Sequence, residues 1–414
     1  MHIVFLSVSS ELGGSETVLL ELVRGLRRLQ RDWRLTAIVP REGPFSFRLR
    51  AAGADVRVLA IPAPLLRLGE SARATALSRG AALIGAARSV RGYTSRLAML
   101  LNELAPDVIH SNGLKPHVLA ARARGPAAPL VWHIHEYVGA RPMSRRLLRL
   151  HQRAAAIAVA NSRSVAADLA RALRPGLDIR TISNAVDLAT FSPDGPTIDL
   201  DALGGAAPPA RGVIRVGLVA TFGRWKGHDV FLRALARLAS PRPVRAYVIG
   251  GPVYDTAGSQ YTLDELRTLA RALGVADRMV FTGVIDPIAP ALRGLDVVVH
   301  ASTQPEPFGM VIAEAMACGR TVIVSAAGGA GEIVRPDEDA LVHAPGDAEG
   351  LSSALARAVD DDALRARIGR AARQSAVARF DAARFAREFE ALYQSLARSA
   401  SAPVEAIAGG AAAG

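Results

Sequence analysis

The feature that most constrains the fold is a repeated alternation of short β-rich runs, glycine-containing loops and helical patterns. The first series begins with an apolar run at residues 2–9, a loop at 11–15 and a helical pattern at 16–30. The second series begins with a run at 214–221, followed by a helical pattern at 230–238. Short β-rich runs that alternate with helices indicate parallel, doubly wound sheets. The chain is therefore predicted to be an α/β protein.

Further β-rich runs follow in each series, and a segment of different composition separates the two. The runs are residues 35–39, 56–59, 107–110, 130–135, 156–160 and 179–182, then 245–249, 279–282, 297–300 and 321–324. Residues 193–212 are rich in Pro, Gly and Asp, which is typical of a linker. A chain of 414 residues is too long for one compact core. We therefore predict Rossmann-like domains at 1–190 and 213–381, with a linker at 191–212.

Composition limits the environment of the chain. No run of about 18 uncharged apolar residues occurs, so no transmembrane helix is predicted. The apolar start lacks a basic region and a cleavage site, which favours a first buried strand over a signal peptide. Cys318 is the single cysteine, so no intramolecular disulfide is possible, which is consistent with a cytoplasmic location. Cys318 is expected to be a packed core thiol. Residues 399–414 are rich in Ala and Gly and are expected to be disordered.

The net charge of +12 favours anionic partners, such as a nucleotide, a lipid headgroup or a nucleic acid. A compositional bias explains the charge equally well, because only Lys115 and Lys226 among the 50 basic residues are lysine. In a chain where arginine is the rule, Lys226 stands out. Two segments concentrate the arginines: residues 65–104, a long insertion with arginines at 67, 73, 79, 88, 91 and 96, and residues 141–153, a basic amphipathic helix candidate.

The most informative stretch is QPEPFGMVIAEAMACG at residues 304–319. A helix is expected to begin near residues 308–309, after two prolines, and to stop at Gly319. The free amides of its first turn would form a cradle for a diphosphate, with Glu306 beside it. Glu314, more than a turn inside, is able to bind vicinal hydroxyls such as those of a ribose. The alternative is an ordinary acidic residue before a helix and an exposed glutamate within it.

A cationic glycine turn, GLVATFGRWKG, occupies residues 217–227. Gly223 allows a ligand to approach the backbone, Arg224 offers a planar fork of donors and Lys226 a point charge. Together the two cations would stabilise a diphosphate as a leaving group. The alternative is a solvated basic turn. Two other glycine loops are predicted to face the same ligand. Gly13-Gly14-Ser15-Glu16 follows the first strand, at the sheet edge where ligands bind. Residues 328–332 follow a later strand and would offer their backbone amides.

His133 and His135 end a predicted strand, and alternation places them on one face. A histidine at a strand end can bind sugar hydroxyls or stabilise charge. The pair could also be metal ligands, but no third ligand is visible nearby, and a structural role for at least one is the main alternative. Two Asp-x-Asp strings, at 199–201 and 337–339, are predicted to be solvated. No metal site is therefore predicted.

In order and spacing, the motifs resemble family 4 of the retaining glycosyltransferases, which have the GT-B fold. The resemblance covers nearly the whole chain and rests on GRWKG, on LDVVVHAS with Asp296 and Ser302, on EPFGMVIAEAMACG, on GGAGEIV and on Asn184-Ala185-Val186-Asp187. It implies two Rossmann-like domains that face a central cleft. It also implies that a helix at about 382–398 crosses back to the first domain.

The resemblance also implies roles for individual residues. Arg224 and Lys226 would hold the donor diphosphate next to Gly223. Only Trp225 separates these two residues, whereas many family members have more residues between the arginine and the lysine. Glu306 would contact the transferred sugar and Glu314 the ribose. The remaining donor contacts would be the amides of Phe308, Gly309 and Met310 and the N-terminal loop with Gly14 and Glu16. His135 resembles the strand-end histidine near the sugar, a place for which His133 competes.

The implied reaction moves a sugar from a UDP-, GDP- or ADP-sugar to an acceptor with retention of configuration, without metal or cofactor. A nucleotide-sugar epimerase of the same fold and a non-catalytic sugar-nucleotide-binding subunit are the alternatives. A phosphorylase is disfavoured because its pyridoxal cofactor needs a suitable lysine and the chain has only Lys115 and Lys226. A nicotinamide-dependent enzyme is disfavoured because the chain lacks the dinucleotide-binding motif G-x-G-x-x-G. The basic segments suggest a lipid-linked or polysaccharide acceptor and contact with the anionic inner face of the cell membrane. No nucleic-acid partner is expected.

Overall fold

The computed structural model describes residues 1–66, 76–123, 128–252 and 258–401. The described residues of the N-terminal half form one parallel sheet of seven strands in the order β3-β2-β1-β4-β5-β6-β7. The strands are β1 (His2–Leu6), β2 (Arg34–Val39), β3 (Asp55–Val58), β4 (Val108–Asn112), β5 (Leu130–Ile134), β6 (Ala155–Ala160) and β7 (Ile179–Thr181). Strands β1, β4 and β5 are buried throughout, as expected for parallel strands covered on both faces.

Helices cover both faces of the N-terminal sheet. They are α1 (Gly14–Leu29), α2 (Pro44–Ala51), α3 (Ala63–Leu66), α4 (Ala76–Leu104), α5 (Leu114–Ala123), α6 (Pro142–His151) and α7 (Arg163–Ala172). Leu22 of α1 and Phe45 of α2 belong to the core on one face. Leu97 of α4, Leu119 of α5 and Leu148 of α6 belong to the core on the other. The expected insertion at 65–104 thus contributes a core helix, whereas Arg67 and Arg73 lie outside the described residues.

The C-terminal half contains a second parallel sheet, whose described strands follow the order β10-β9-β8-β11-β12-β13. The strands are β8 (Ile214–Val219), β9 (Val244–Ile249), β10 (Met279–Gly283), β11 (Val297–His300), β12 (Thr321–Ser325) and β13 (Leu341–His343). The helices are α8 (Leu200–Leu203), α9 (His228–Arg237), α10 (Leu263–Ala272), α11 (Ala289–Arg293), α12 (Met310–Ala317), α13 (Gly329–Ile333), α14 (Ala348–Asp360), α15 (Asp362–Arg379) and α16 (Ala382–Ser401). The predicted α/β class with two doubly wound sheets is confirmed; strand β13 is an addition.

The strand orders place a topological switch point in each sheet. The connections after β1 and β4 leave the first sheet in opposite directions, and those after β8 and β11 do the same in the second. Ligands of open α/β sheets bind outside the carboxyl ends of the strands at such points. The loop before α1 and the turn after β8 therefore both lie where a ligand is expected.

The chain crosses between the domains twice, and the two crossings are paired. Val186, in the outgoing segment, donates its backbone N–H to the carbonyl of Phe380 at 2.8 Å, just before α16 returns to the N-terminal domain. Helix α16 packs against α1 and contributes Phe385 and Phe389 to the N-terminal core. It extends to Ser401, beyond the expected start of the disordered tail, and residues 402–414 lie outside the described residues.

The two domains also contact each other directly. Glu332 of α13 accepts hydrogen bonds from the backbone N–H groups of Arg163 and Ser164 at 2.9 and 2.6 Å, so a carboxylate of one domain caps helix α7 of the other. On the surface, Arg48 of α2 pairs with Asp286 at 3.0 Å. These contacts connect the two walls of the cleft.

The segment at 191–212, expected to be a linker, packs on the C-terminal domain. Leu200 is buried in the C-terminal core, and the Asp201 carboxylate is almost fully buried. Asp201 accepts hydrogen bonds from Arg215 at 2.9 Å, Arg245 at 3.0 Å and Tyr247. The prediction that this Asp-x-Asp string is solvated is therefore wrong, because β8 and β9 supply partners that the local sequence does not reveal.

The second Asp-x-Asp string is corrected in the same way. Asp339 is fully buried and accepts hydrogen bonds from the Arg335 guanidinium at 3.0 Å and from Ser375 of α15 at 2.6 Å. Its neighbour Asp337 is exposed and pairs with Arg357. Cys318 is buried, as predicted.

Replacement of Asp201 should destabilise the C-terminal domain. Asp201→Ala leaves Arg215 and Arg245 without their shared carboxylate, and we expect a loss of about 3 kcal/mol in the free energy of unfolding, since removal of one partner of a buried pair is costly. Urea unfolding measures the loss. Asp194→Ala, at an exposed position of the same segment, is the control and should change the free energy by less than about 0.5 kcal/mol. Equal stability of the two variants would contradict this account.

Candidate functional site

The centre of the site is an ion pair between Lys226 and Glu306. Lys226 Nζ donates to Glu306 Oε2 at 2.8 Å, and both side chains are mostly buried. Ser302 Oγ donates to the same oxygen at 3.0 Å, and His300 Nε2 lies 3.6 Å from it. Burial by itself would raise the pKa of Glu306, but the adjacent His300 and the Lys226 ammonium outweigh it and hold that pKa well below its usual range. Glu306 is therefore an ionised acceptor at neutral pH.

The position of Lys226 follows from a tight turn at the carboxyl end of β8. Residues Arg224–Lys226 form one turn of 3₁₀ helix, and Gly227 follows with φ +73° before α9 begins. A Cβ at Gly227 would lie 1.9 Å from the Ala301 carbonyl oxygen, so another residue would not fit without displacing the end of β11. The amide of Thr303 donates to the Trp225 carbonyl at 2.8 Å and fixes the turn against the loop that carries Glu306.

The glycine loop at 328–332 positions the backbone of Glu306. The amide of Gly329 donates to the Glu306 carbonyl at 2.8 Å, and the Glu306 amide donates to the Ala327 carbonyl at 3.3 Å. A Cβ at Gly329 would lie 1.9 Å from the Pro307 carbonyl oxygen, which requires glycine there. The prediction that the amides of this loop face a ligand is corrected for Gly329, because its amide is used within the protein.

Helix α12 begins at the interface between the two domains. Gly309 precedes it with φ +93°, and Met310, its first residue, packs against the cores of both domains. Phe308 is buried with its ring edge-on to Phe380 at 5.7 Å. The Ile312 amide donates to the Gly309 carbonyl at 3.0 Å, whereas in the described part of the chain the amides of Met310 and Val311 are given no partner, so these two are available to a ligand in the cleft.

Glu314 lies in the second turn of α12. It is only partly exposed, in contrast to the exposed helix glutamate of the alternative interpretation. Burial raises the pKa of Glu314 to about 7. Its carboxyl group is therefore present in both protonation states near neutral pH and can either donate or accept a hydrogen bond.

Arg224 is separate from the Lys226–Glu306 pair. Its guanidinium donates to Glu265 at 2.8 Å and to the Gly258 carbonyl at 3.1 Å, and it lies over the Tyr261 ring at 4.3 Å from the centroid. Gly223 before it is buried, and a Cβ there would come within 3.0 Å of the Trp225 ring. Of the two predicted cations, the structure places Lys226 next to Glu306, whereas Arg224 points to α10.

The N-terminal wall contributes the glycine loop at the start of α1. Gly14 is the exposed first residue of the helix. The Glu16 carboxylate turns back on the first turn and accepts a hydrogen bond from Ser15 Oγ at 2.9 Å. Burial raises the pKa of Glu16, while the bonds from Ser15 and the nearby backbone oppose the rise. In this structure Glu16 therefore stabilises its own helix end.

His133 and His135 have different environments. His133 is fully buried between His110 and His135, with ring centroids 5.1 and 4.0 Å away. His135 is partly exposed at the carboxyl end of β5, and its Nε2 lies 2.7 Å from Asn112 Oδ1. Burial lowers the pKa of His135 to about 4. Of the two candidates, His135 is the one that a ligand can reach.

Three residues near these side chains carry no role in the sequence-based interpretation: His300, Asn112 and Tyr137. The hydroxyl of Tyr137 donates to the Glu306 carbonyl at 3.3 Å across the domain interface. Asn112 is the last residue of β4 and His300 the last residue of β11. A position at the carboxyl end of a strand is the one sequence signal that could have marked them as site residues. Among the described residues there is no group of three side chains that could hold a metal ion.

Comparison with known proteins identifies the family. The description "Glycosyl transferases group 1" matches residues 210–375, and "Glycosyltransferase Family 4" matches residues 12–190. The chain belongs to Glycosyltransferase Family 4. As a family 4 glycosyltransferase it has the GT-B fold, which the two parallel sheets and the solved relatives confirm.

Curated relatives include other glycosyltransferases. The chain is 35% identical over 223 residues to a D-inositol 3-phosphate glycosyltransferase of Xylanimonas cellulosilytica, covering 52% of this chain and 51% of that protein. It is 34% identical over 218 residues to the lipopolysaccharide core mannosyltransferase LpcC of Rhizobium leguminosarum bv. viciae, covering 52% and 59%. These matches span little more than half of the relatives' length. A third, 24% identical to the N-acetyl-alpha-D-glucosaminyl L-malate synthase of Bacillus anthracis, covers 74% of this chain and 80% of that enzyme.

Solved structures match over almost the whole chain. Anabaena HepE in complex with UDP and glucose has a TM-score of 0.74 and 25% identity, covering 95% of this chain and 99% of that one. The sucrose-phosphate synthase of Thermosynechococcus elongatus has a TM-score of 0.75 and 21% identity, covering 96% and 99%. In the described residues no helix is both long and apolar enough to span a membrane.

The buried histidines should make stability depend on pH. Burial lowers the pKa of His110 to about 3 and that of His133 well below its usual value. Below about pH 6.5 the unfolded chain binds protons that the folded protein does not, so stability falls as pH falls, by about 1.4 kcal/mol per pH unit for each such histidine. The raised pKa of Glu314 has the opposite effect: the folded protein holds a proton on Glu314 that the unfolded chain releases, so this group adds stability as pH falls below about 7.

The comparison with His133→Leu isolates one of these groups. We expect the free energy of unfolding of the unchanged protein, measured in urea between pH 7 and pH 5, to fall more steeply than that of the variant, by about 1.4 kcal/mol per pH unit. Equal slopes for the two proteins would show that His133 is not held neutral in the folded state.

Proposed function

We propose that this family 4 glycosyltransferase moves a sugar from a nucleotide diphosphate donor to a glycan or lipid-linked acceptor, with retention of configuration and without a metal. The observation that carries the proposal is the Lys226–Glu306 pair, held beside the first turn of α12 at the switch point of the C-terminal sheet. A cation, an ionised carboxylate and free helix amides at one cleft are the groups that a sugar diphosphate requires.

The leaving group would be stabilised by Lys226 and by the amino end of α12. Bond cleavage places negative charge on the departing diphosphate, and fixed positive charge stabilises that state more than the ground state. The donor would displace the ammonium from Glu306, and Arg224 would turn from Glu265 to the diphosphate when the ligand binds. Phe308, Gly309 and Met310 would supply the amides.

The carboxylates would orient the donor. Glu306, which is ionised, accepts hydrogen bonds only and would therefore bind hydroxyls of the transferred sugar, while Glu314 would bind the ribose hydroxyls. Gly14 and Glu16 would face the phosphates from the opposite wall, and His135 would contact the sugar. Catalysis then consists of orientation and charge stabilisation in a closed cleft.

The relatives support the type of donor and acceptor. One solved structure of HepE contains UDP and another contains UDP-glucose. The second has 26% sequence identity to this chain and a TM-score of 0.74. Curated relatives act on inositol phosphate or in lipopolysaccharide core synthesis. A nucleoside diphosphate sugar and a glycan acceptor are therefore proposed for this protein, and we propose a cytoplasmic location, where such donors would be available.

Lys226→Ala and Glu306→Ala should each reduce sugar transfer by about 100-fold or more, as removal of one group that stabilises transition-state charge does elsewhere. Transfer is measured as nucleotide release from labelled donors, after a thermal-shift screen of UDP-, GDP- and ADP-sugars identifies the ligand. Lys115→Ala, the other lysine, is the matched control and should keep full activity.

The same experiment separates the alternatives. Normal turnover in both site variants, or no shift with any nucleotide sugar, would contradict the proposal. Nuclear magnetic resonance of the donor incubated alone would reveal an epimerase, because the sugar would change without an acceptor. Binding without turnover towards any acceptor would indicate a non-catalytic subunit.

We further propose that helix α6 contacts an anionic membrane. Residues 141–153 contain five arginines and no acidic residue. Met143, Leu147 and Leu150, spaced by four and three residues, are exposed by 53%, 39% and 70% and form one apolar stripe. A basic helix with an exposed apolar stripe is typical of peripheral membrane binding and would bring the N-terminal domain to a lipid-linked acceptor at the inner face.

Replacement of Met143, Leu147 and Leu150 by serine should weaken binding to vesicles that contain phosphatidylglycerol by at least about tenfold, because three apolar side chains no longer enter the lipid. Co-sedimentation at low ionic strength measures binding. Val377→Ser, at an exposed apolar position of α15, is the control and should bind like the unchanged protein. Binding of the triple variant at full strength, or no preference for anionic over zwitterionic vesicles, would refute the membrane contact.

A further inference from the structure

Asn112 connects His135 to the glycine loop of the N-terminal domain. It ends β4, is almost fully buried, and lies beside the carboxyl end of β5, where His135 follows. Its Nδ2 donates to the backbone carbonyl of Ser15 at 3.3 Å, in the first turn of α1. Its Oδ1 lies 2.7 Å from His135 Nε2. One buried amide therefore joins three elements at the switch point of the first sheet.

The Ser15 carbonyl determines which way the Asn112 amide points. A carbonyl oxygen only accepts hydrogen bonds, so the NH₂ end of Asn112 must face Ser15, since the opposite orientation would place two acceptors together. The Oδ1 end is then left for His135. Because Oδ1 is also only an acceptor, His135 Nε2 must carry the proton and donate it.

The protonation of the ring then follows. Burial lowers the pKa of His135 to about 4, so the ring is neutral near pH 7 and has one N–H. That hydrogen lies on Nε2, which leaves Nδ1 with a lone pair. Within the described part of the chain, the structure gives Nδ1 no hydrogen-bond partner, and it is not among the fully buried unsatisfied atoms. Nδ1 is thus the ring atom left for a ligand, and it is an acceptor.

We propose that Asn112 is a positioning residue that fixes His135 in the Nε2–H tautomer, so that His135 recognises a sugar hydroxyl and not a phosphate oxygen. The functional half of this inference depends on the proposed function. A hydroxyl donates to Nδ1, whereas a phosphate oxygen would meet a second acceptor and be repelled. The donor sugar, and not the diphosphate, therefore lies at His135, opposite the cations of the C-terminal wall.

The tautomer can be measured without turnover. Nuclear magnetic resonance of protein labelled with ¹⁵N-histidine distinguishes a protonated Nε2 from a protonated Nδ1, and the signal that disappears in His135→Gln assigns the residue. We expect Nε2–H in the unchanged protein. Asn112→Leu removes the acceptor at similar size and should release the ring to a mixture of tautomers.

A matched control changes a neighbouring histidine instead. Tyr393→Phe removes the hydroxyl that lies 2.7 Å from His110 Nδ1 and should leave the His135 signal unchanged. Nδ1–H in the unchanged protein, or a tautomer that is the same in Asn112→Leu as in the unchanged protein, would overturn the inference whether or not the protein transfers sugar.

The functional half is tested with the donor found by thermal shift and its monodeoxy analogues. Asn112→Leu should lower kcat/KM for the complete donor by about tenfold. For one deoxy analogue, the one that lacks the hydroxyl at His135, the Leu variant should cause no further loss, because the contact is already missing. If Asn112→Leu lowered kcat/KM by the same factor for the complete donor and for every deoxy analogue, Asn112 would have a structural role only.

Discussion

The Lys226–Glu306 ion pair is the interaction on which the cleft depends. The two residues are 80 positions apart in sequence, and they meet because β8 and β11 are neighbouring parallel strands whose carboxyl ends lie at one edge of the sheet. A mostly buried ion pair is costly unless its remaining hydrogen-bonding capacity is used. Ser302 supplies that bond to Glu306, and the 328–332 loop holds the backbone behind it. The charges are thereby fixed before any ligand binds.

The N-terminal domain uses the same geometry with different chemistry. The β1/β4 switch point carries a glycine turn, an asparagine amide, a histidine whose pKa burial lowers and the Glu16 carboxylate, which is bonded to Ser15. The C-terminal switch point carries Lys226, paired with Glu306, and the amino end of α12. Contacts such as the Glu332 carboxylate at the start of α7 hold the two edges near each other. A cleft with Lys226 and helix amides on one wall, and the hydrogen-bonding side chains of Asn112 and His135 on the other, would suit the proposed ligand, which has a diphosphate at one end and hydroxyls at the other.

Some site residues could be predicted because their signals are local. Lys226 stands out as a lysine among arginines, and Glu306 lies between two prolines before a helix, so neither needs the fold to be noticed. Arg224 has the same local signal, yet Glu265 and Tyr261, about 40 residues further along, determine where it points. Asn112 has no distinctive local pattern, since its importance comes from the Ser15 carbonyl and His135, which belong to other elements.

The sequence by itself determined the α/β class, the two domains and the glycine turns, because periodicity, turn residues and helix ends act between near neighbours in the chain. Only the tertiary structure decided which polar groups pair. Asp201 is an ordinary acidic residue in its own segment, and its burial depends on Arg215 and Arg245 from strands that the fold brings to it. His133 and His135 are equivalent by alternation, and only the packing around them buries one and leaves the other accessible. Hydrogen bonds and desolvation act over a few ångströms in space, and the order of strands in the sheet, which local patterns do not encode, sets those distances.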